Sequence, residues 1–495
     1  MSKKFKYLQS TFIKNSLWGV LSNIFQILFV SLFFAILARK YQPDEFAKFL
    51  ISNTVYQILA AFSSMGLGQW FIREHVKNMY EDELTNKFMK MQLGLGGLFY
   101  GVNIVIALLL YRDAQIQILC VLLGTNIIFD NLINAIKTLN IAENRQQKTA
   151  TVLAIDGLLK VIVAGMLFIY PFSTAVLSVL VVAVRLVTLS LFIQMGSANT
   201  LSVKSLWKAK VSYADLKNLV ISNWRFIVIS SISIIYWKLG NVIISKSMPL
   251  QNVADYEIAF RIFSVLQIIP VVASGTIYPQ FIKYYNERNF NNLRFIYTNI
   301  FNVYTLFAII SYAFIYAFAP IIIPLVFGNG YPGAVACLQQ MFLTFLLMPT
   351  VLLQANLLVA MRLERLDMRF NIISLLINIC GCVAGLLFVR KLAVINYAVL
   401  GSFVVFHILQ DVVLVRRKLI TIAHCLSFYG AILAAPLICI YGNQHLNPYL
   451  FFGCALAVVG LIALYLFGIF KKKANLNFPD VHLNKSIALS EHNAA

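Results

Sequence analysis

The chain has 495 residues, of which 60% are hydrophobic and only 12% charged, with a mean hydropathy of +0.79. A soluble domain carries about a quarter charged residues and about half apolar ones, so this composition excludes an ordinary water-soluble core and points to a bilayer as the solvent. The formal net charge of +21, from 40 Lys and Arg against 19 Asp and Glu, fits either an anionic partner such as nucleic acid or a membrane orientation signal, and the positions of the bases decide between them.

The chain opens on a basic stretch, Met1 to Asn15, followed by apolar residues from about Ser16 to Leu37. That run is too long for the roughly 7–15-residue apolar region of a signal peptide, and no small-residue cleavage site precedes Arg39 and Lys40, so it reads as a first spanning helix. Apolar runs of about 18–25 residues, bounded by charged, Pro/Gly or Asn-rich breaks, recur along the chain. They predict helices at approximately 16–37, 49–70, 92–110, 115–136, 151–170, 174–194, 219–245, 256–279, 297–319, 334–358, 370–389, 393–413, 424–441 and 449–470. The predicted fold class is all-α integral membrane with 14 transmembrane helices. Lipid admits only helices and closed barrels, and barrel strands would alternate over about ten residues.

With the N-terminus inside and the loops alternating, 28 of the Lys and Arg fall on inside segments, and seven (Arg39, Lys40, Lys48, Arg112, Lys246, Arg390 and Lys391) on outside loops. This is the positive-inside pattern. It predicts cytoplasmic N and C termini, and it turns most of the net charge into an orientation signal with no nucleic-acid partner. The longest connection, 195–218, is then cytoplasmic, and the outer loops, such as Tyr170 to Ser173 and Tyr441 to Pro448, are too short to house an enzyme.

A shift of 207 residues lays Leu37-Ala38-Arg39 on Ile244-Ser245-Lys246 and Ala47-Lys48-Phe49 on Ala254-Asp255-Tyr256, a faint parallel repeat. The predicted organisation is a six-helix bundle (1–194), a cytoplasmic linker (195–218), a second six-helix bundle (219–413), helices 13 and 14 (414–473) and a polar, disordered tail (474–495). Seven cysteines lie in or beside apolar stretches with no C-x-x-C pair, which argues against a metal site or a disulfide framework. No G-x-x-x-x-G-K-[ST] loop is present, so no cofactor and no direct use of ATP is expected.

Three stretches carry a family likeness. Pro320-Ile-Ile-Ile-Pro324-Leu-Val-Phe327-Gly328-Asn-Gly-Tyr331-Pro-Gly-Ala334, read as the loop after helix 9, resembles a signature of the polysaccharide-exporter branch of the multidrug/oligosaccharidyl-lipid/polysaccharide superfamily. The turn Ala38-Arg39-Lys-Tyr-Gln-Pro43-Asp44-Glu45-Phe46-Ala47-Lys-Phe49 and the start of helix 8, Ala254-Asp-Tyr256-Glu-Ile-Ala259-Phe-Arg261-Ile262, are similar to two more of its motifs. The likeness covers about residues 10–470, with Ala47 and Ala254 at family glycines and Lys238 where relatives often carry an acid, so no ion-coupling mechanism is carried over. The resemblance implies an O-antigen-type flippase that moves an undecaprenyl-pyrophosphate-linked glycan between leaflets. It implies membrane lipids, a polysaccharide polymerase and a chain-length regulator as further partners, and a monomer. A cation-coupled multidrug exporter of the same superfamily is the alternative, and a membrane polymerase or ligase a more distant one.

Such a cargo needs a polar, partly basic cavity, and charged residues within spans are costly enough to mark one. The basic candidates are Lys160, Arg185, Arg225, Lys238 and Arg261; the acids Asp130, Asp156, Glu257 and Asp411 are candidate charge partners or ion-coupling groups. Asp156 and Lys160 lie four residues apart, as do Glu257 and Arg261, so each pair shares a helix face and can neutralise itself. Arg225 and Asp411 lie, with Asp130, nearer the cytoplasmic ends and are placed to snorkel. Arg185 has no acid within four positions and is the foremost candidate for the pyrophosphate, with an acid on another helix, such as Asp156, as the alternative partner. Pro270, Pro349 and Pro436 are expected to interrupt helices, with Pro279 at the end of helix 8.

Overall fold

The computed structural model describes residues 24–77, 82–143, 145–195 and 234–477, with positions 211, 212, 217, 221 and 232 between them. Among these residues all regular structure is helical. In chain order the helices are α1 (24–40), α2 (Pro43–Ser63), α3 (Leu67–Lys77), α4 (Asp82–Leu110), α5 (Ala114–Gly124), α6 (Asn126–Ala142), α7 (Gln146–Gly165) and α8 (Thr174–Met195). After the linker follow α9 (234–247), α10 (Gln251–Asn286), α11 (Phe290–Phe327), α12 (Pro332–Phe345), α13 (Met348–Ala360), α14 (Glu364–Phe388), α15 (Leu392–Arg416), α16 (Ile422–His445) and α17 (Pro448–Asn477). Eleven helical stretches among the described residues are long and apolar enough to cross a membrane; α5 with α6, and α12 with α13, each act as one such stretch.

Local chemistry sets the boundaries. Pro43 opens α2 in the first turn, where a missing N–H costs nothing, with Asp44 and Glu45 beside it at the positive end of the helix. The expected second helix, 49–70, is instead two: the chain turns at Met65 and Gly66, both with positive φ, and restarts as the amphipathic α3. Asp113 caps α5 by accepting from the N–H groups of Gln115 (2.8 Å) and Ile116 (3.2 Å). Several helices exceed their apolar cores. At about 1.5 Å per residue, the 38 residues of α11 span far more than the ~30 Å of hydrocarbon, so polar turns extend beyond it.

Three expectations need correction. Pro320 and Pro324 belong to the last turns of α11, so the loop of the family-like motif is only Gly328 to Tyr331; Gly328 ends the helix at φ +90°, a conformation that favours glycine. Pro349 does break the expected span 334–358, as the first-turn proline of α13, but Pro270 and Pro279 lie inside the unbroken α10 and Pro436 inside the unbroken α16. The tail begins as helix, since α17 runs to Asn477; residues 478–495, like 1–23 and most of the 195–218 linker, lie outside the described residues.

Packing gathers the helices into two groups. Helices α2 to α8 pack on one another, as do α10 to α15, while α16 and α17 lie against α11. The helix α2 packs along α10 and joins the groups. Chain alternation puts Arg73, Lys77, Lys148, Arg288, Arg365 and Arg417 at one end of the molecule, called here the basic end, and Arg39, Lys246 and Gly328 to Tyr331 at the far end.

Candidate functional site

A cavity of about 690 Å³ lies between the two groups, lined by α1, α2, α6, α7 and α8 on one side and by α9 and α10 on the other. Four of the five basic candidates, Lys160, Arg185, Lys238 and Arg261, meet on its wall, two from each half of the chain. Arg225 lies outside the described residues.

On the N-terminal side the bases are held by two carboxylates. Asp156, buried at 1% exposure, accepts from Lys160 at 2.8 Å, from Arg185 at 3.2 Å and from the hydroxyl of Thr188 at 2.8 Å. Arg185 Nε also faces Asp130 at 3.0 Å, and Tyr56 of α2 donates to that same carboxylate. Arg185 therefore takes the alternative read from the sequence, pairing with acids on two other helices, while it lines the cavity. Asp130 is not nearer the basic end than Arg185, because its span runs on to Ala142 and places it mid-membrane. Gly157, beside Asp156, lets α1 come close, since a Cβ there would stand 2.7 Å from that of Phe29.

The C-terminal side repeats the arrangement with one acid. Glu257 accepts from Lys238 at 2.9 Å, from Arg261 at 2.5 Å and from Asn241 at 2.6 Å. Lys238 is thus the partner of an acid on the next helix. The Arg261 guanidinium lies 3.8 Å from the ring centre of Phe34 on α1, its Nε is buried without a hydrogen-bond partner among the described residues, and Asn241 also donates to Thr54 of α2 at 3.2 Å. The C-terminal cluster is therefore tied to α1 and α2 of the other half. Among the described residues, the four bases on the cavity wall and the three acids paired with them sum to one net positive charge.

Asp411 does not join them. It is 6% exposed and bonded to Tyr429 and Gln354, so it neither snorkels nor lines this cavity; the hydrogen bonds, together with the depth of α15, hold it inside the protein. Uncharged residues that the charge search passed over complete the cavity: Gln26, Asn53, Tyr56, Gln57, Asn126 and Gln267. Their signal was polarity at helical spacing inside apolar runs, as in Asn53, Tyr56 and Gln57 on α2.

At the far end the groups are latched to each other. Arg39 Nε donates to the carbonyl of Val326 at 2.9 Å and its terminal nitrogen to that of Leu325, in the last turn of α11. In the other direction, the buried Tyr331 hydroxyl donates 2.8 Å to the carbonyl of Ala38 in the last turn of α1. Each half thus supplies a donor to the unsatisfied carbonyls at a helix C-terminus of the other. Phe46 packs edge-on against Tyr331, and Lys246 sits over the ring of Tyr111 at 3.9 Å.

A family model described as polysaccharide biosynthesis protein matches residues 36–336. No curated protein matches the sequence. Among solved structures, the fold is similar to the lipid II flippase MurJ in an inward closed conformation, with a TM-score of 0.68 at 14% identity over 93% of this chain and 99% of that one. It is also similar to an inward-facing multidrug resistance MATE family transporter of the MOP superfamily, with a TM-score of 0.62 at 14% identity over 84% of this chain and 95% of that one. A MOP superfamily transporter from Pyrococcus furiosus, described as having a binding pocket of reverse polarity, matches with a TM-score of 0.55 at 14% identity over 86% and 96% of the two chains. These neighbours are flippases and transporters, not enzymes. The match over residues 36–336 spans well over half of the sequence, and the chain belongs to the polysaccharide biosynthesis protein family, built on the MOP transporter fold.

Proposed function

We propose that this protein is a 14-span inner-membrane flippase that moves an undecaprenyl-pyrophosphate-linked oligosaccharide from the cytoplasmic to the periplasmic leaflet by alternating access, with its basic end and both termini in the cytoplasm. The observation that carries this reading is the cavity between the halves, with Lys160 and Arg185 from one side and Lys238 and Arg261 from the other. A pyrophosphate seated there takes donors from both halves, and its negative charge exceeds the single net positive charge of the empty cavity, so it draws the bases away from their acids. The prenyl chain stays in lipid, where each methylene is favoured by about 0.8 kcal/mol over water. With the latch of Arg39 and Tyr331 closed, the cavity is shut at the far end and receives cargo from the basic end. Release requires the latch to part and the halves to rock the other way.

A multidrug exporter reading is less well supported, because a cationic drug needs an uncommitted acid. Asp130, Asp156 and Glu257 are each already engaged by Arg or Lys.

The test compares binding of undecaprenyl pyrophosphate and of undecaprenol to the purified protein in nanodiscs. Lys160 and Arg261 are the bases to change, because each shares its acid with a second base that remains, so the fold is spared an unpaired carboxylate. Each of Lys160→Gln and Arg261→Gln is expected to weaken pyrophosphate binding about tenfold, the worth of one charged hydrogen bond of roughly 1.5 kcal/mol. Equal affinity for the pyrophosphate and the alcohol would overturn the assignment.

A further inference from the structure

Asp411 is built differently from the acids of the cavity. Asp130 and Asp156 face Arg185 and Glu257 faces Arg261, whose charge is permanent at neutral pH; Asp411 faces an imidazole. His407 Nδ1 lies 3.1 Å from Asp411 Oδ2 and 2.8 Å from the hydroxyl of Tyr429, which itself donates 2.9 Å to the same carboxylate oxygen. Gln354 Nε2 donates to the other oxygen at 2.7 Å and to the Tyr297 hydroxyl at 3.1 Å. These side chains come from α15, α16, α13 and α11, each within about two turns of the basic end, and they tie α16 to the helices of the second bundle.

An ionised carboxylate can only accept, so Nδ1 is assigned as the ring's donor and Nε2 carries the removable proton. That Nε2 atom is buried, in a residue 0% exposed, and has no hydrogen-bond partner among the described residues. The ring stacks on Phe428 at 4.7 Å with 13° between the planes, and the Phe301 ring lies 6.1 Å away.

On α16, His424 faces both Asp411 and His407, with Arg294 of α11 behind it as a fixed positive charge. Asp367 of α14, reached from Asp411's neighbour Gln410 at 3.5 Å, is a further carboxyl nearby, and among the described residues Cys425 and Tyr297 are the remaining titratable groups that face the carboxylate.

We propose that His407 and Asp411 form a proton-binding site near the basic end, which takes one proton on His407 Nε2 and which Tyr429 couples to the position of α16. The cavity's acids, by contrast, stay fixed by their Arg and Lys partners. The site does not depend on what the protein carries.

The test is NMR of the full chain in nanodiscs with isotope-labelled histidine, a small set of signals because the sequence holds six. His407→Gln serves only to assign the His407 resonance. The wild-type signal is expected to change protonation state as pH is varied, and Asp411→Asn to lower the midpoint of that change by about one pH unit or more, since an opposing charge is lost. Tyr429→Phe keeps both titrating groups, is expected to shift the midpoint as well, and stands in if Asp411→Asn does not fold. A His407 signal that keeps one protonation state throughout overturns the proposal. So does a titration that neither variant moves.

Discussion

The far-end latch gives the most direct measure of how firmly one state is held. The Tyr331 hydroxyl is buried, in a residue 2% exposed, and bonds Ala38 of the opposite half at 2.8 Å. Deleting it by Tyr331→Phe removes one buried neutral hydrogen bond, worth about 1 kcal/mol, or roughly a fivefold shift toward the open latch. Arg39 is exposed, so its bonds to the α11 terminus are worth less, about 0.3–1 kcal/mol on the scale of a cation at a helix C-terminus. The double variant is expected to shift the equilibrium by roughly tenfold, corresponding to about 1.4 kcal/mol. The assay places a reporter cysteine at Ser264, on the cavity wall, after replacing Cys380, Cys425 and Cys454, the native cysteines that are not buried. Labelling of intact cells by a membrane-impermeant thiol reagent then reads access from the far end. If Tyr331→Phe lowers thermal stability yet leaves labelling at the wild-type rate, the contact is packing only and the latch is refuted.

Two further outcomes follow from the charges. Glu257→Gln leaves Lys238 and Arg261 buried beside a neutral amide, a loss of roughly 3–5 kcal/mol when a buried ion pair is broken from one side, and an anion in the cavity replaces the missing charge. The variant should melt lower than wild type alone but gain more from added pyrophosphate; an equal ligand-induced shift in both proteins would contradict a role for these bases in anion binding. At the far end, burial works against the Asp113 charge, but the hydrogen bond from Lys48, whose Nζ lies 2.7 Å away, together with the N–H groups of Ile116 and Gln115, holds the carboxyl below its ordinary range. A depressed acid contributes stability that is present above its unfolded pKa and lost as pH falls through the folded one, so Asp113→Asn should melt lower than wild type at neutral pH. The gap should close as pH falls below about 4, and a gap that widens on acidification would reverse the sign.

Much of this protein is legible from its residues. The length and apolarity of the runs fixed helices in lipid, because a backbone without water must bond to itself. The expected breaks near residues 40, 112, 172, 248, 288, 330, 362, 390 and 420 all fall between described helices. The distribution of Lys and Arg named the basic end, and the cost of charge in hydrocarbon singled out Lys160, Arg185, Lys238 and Arg261 before any contact was known. Even the 207-residue shift has a counterpart, since α1 ends at 40 and α9 at 247 and both turns lie at the far end.

What the sequence could not supply is direction around each helix axis. A span such as α8 is apolar on every side, so nothing in it says which neighbour Arg185 will meet, and Asp130 lies 55 residues away in the chain. The same blindness hid the difference between Asp411, enclosed by His407 and Tyr429, and the acids of the cavity. It also hid the use of the family-like motifs, for which Arg39 and Tyr331 had to be seen reaching across to Val326 and Ala38. Transfer into lipid depends on composition and length, which one chain carries along its sequence. The convergence of charges depends on how helices far apart in that sequence rotate and pack, and this only the tertiary structure decides.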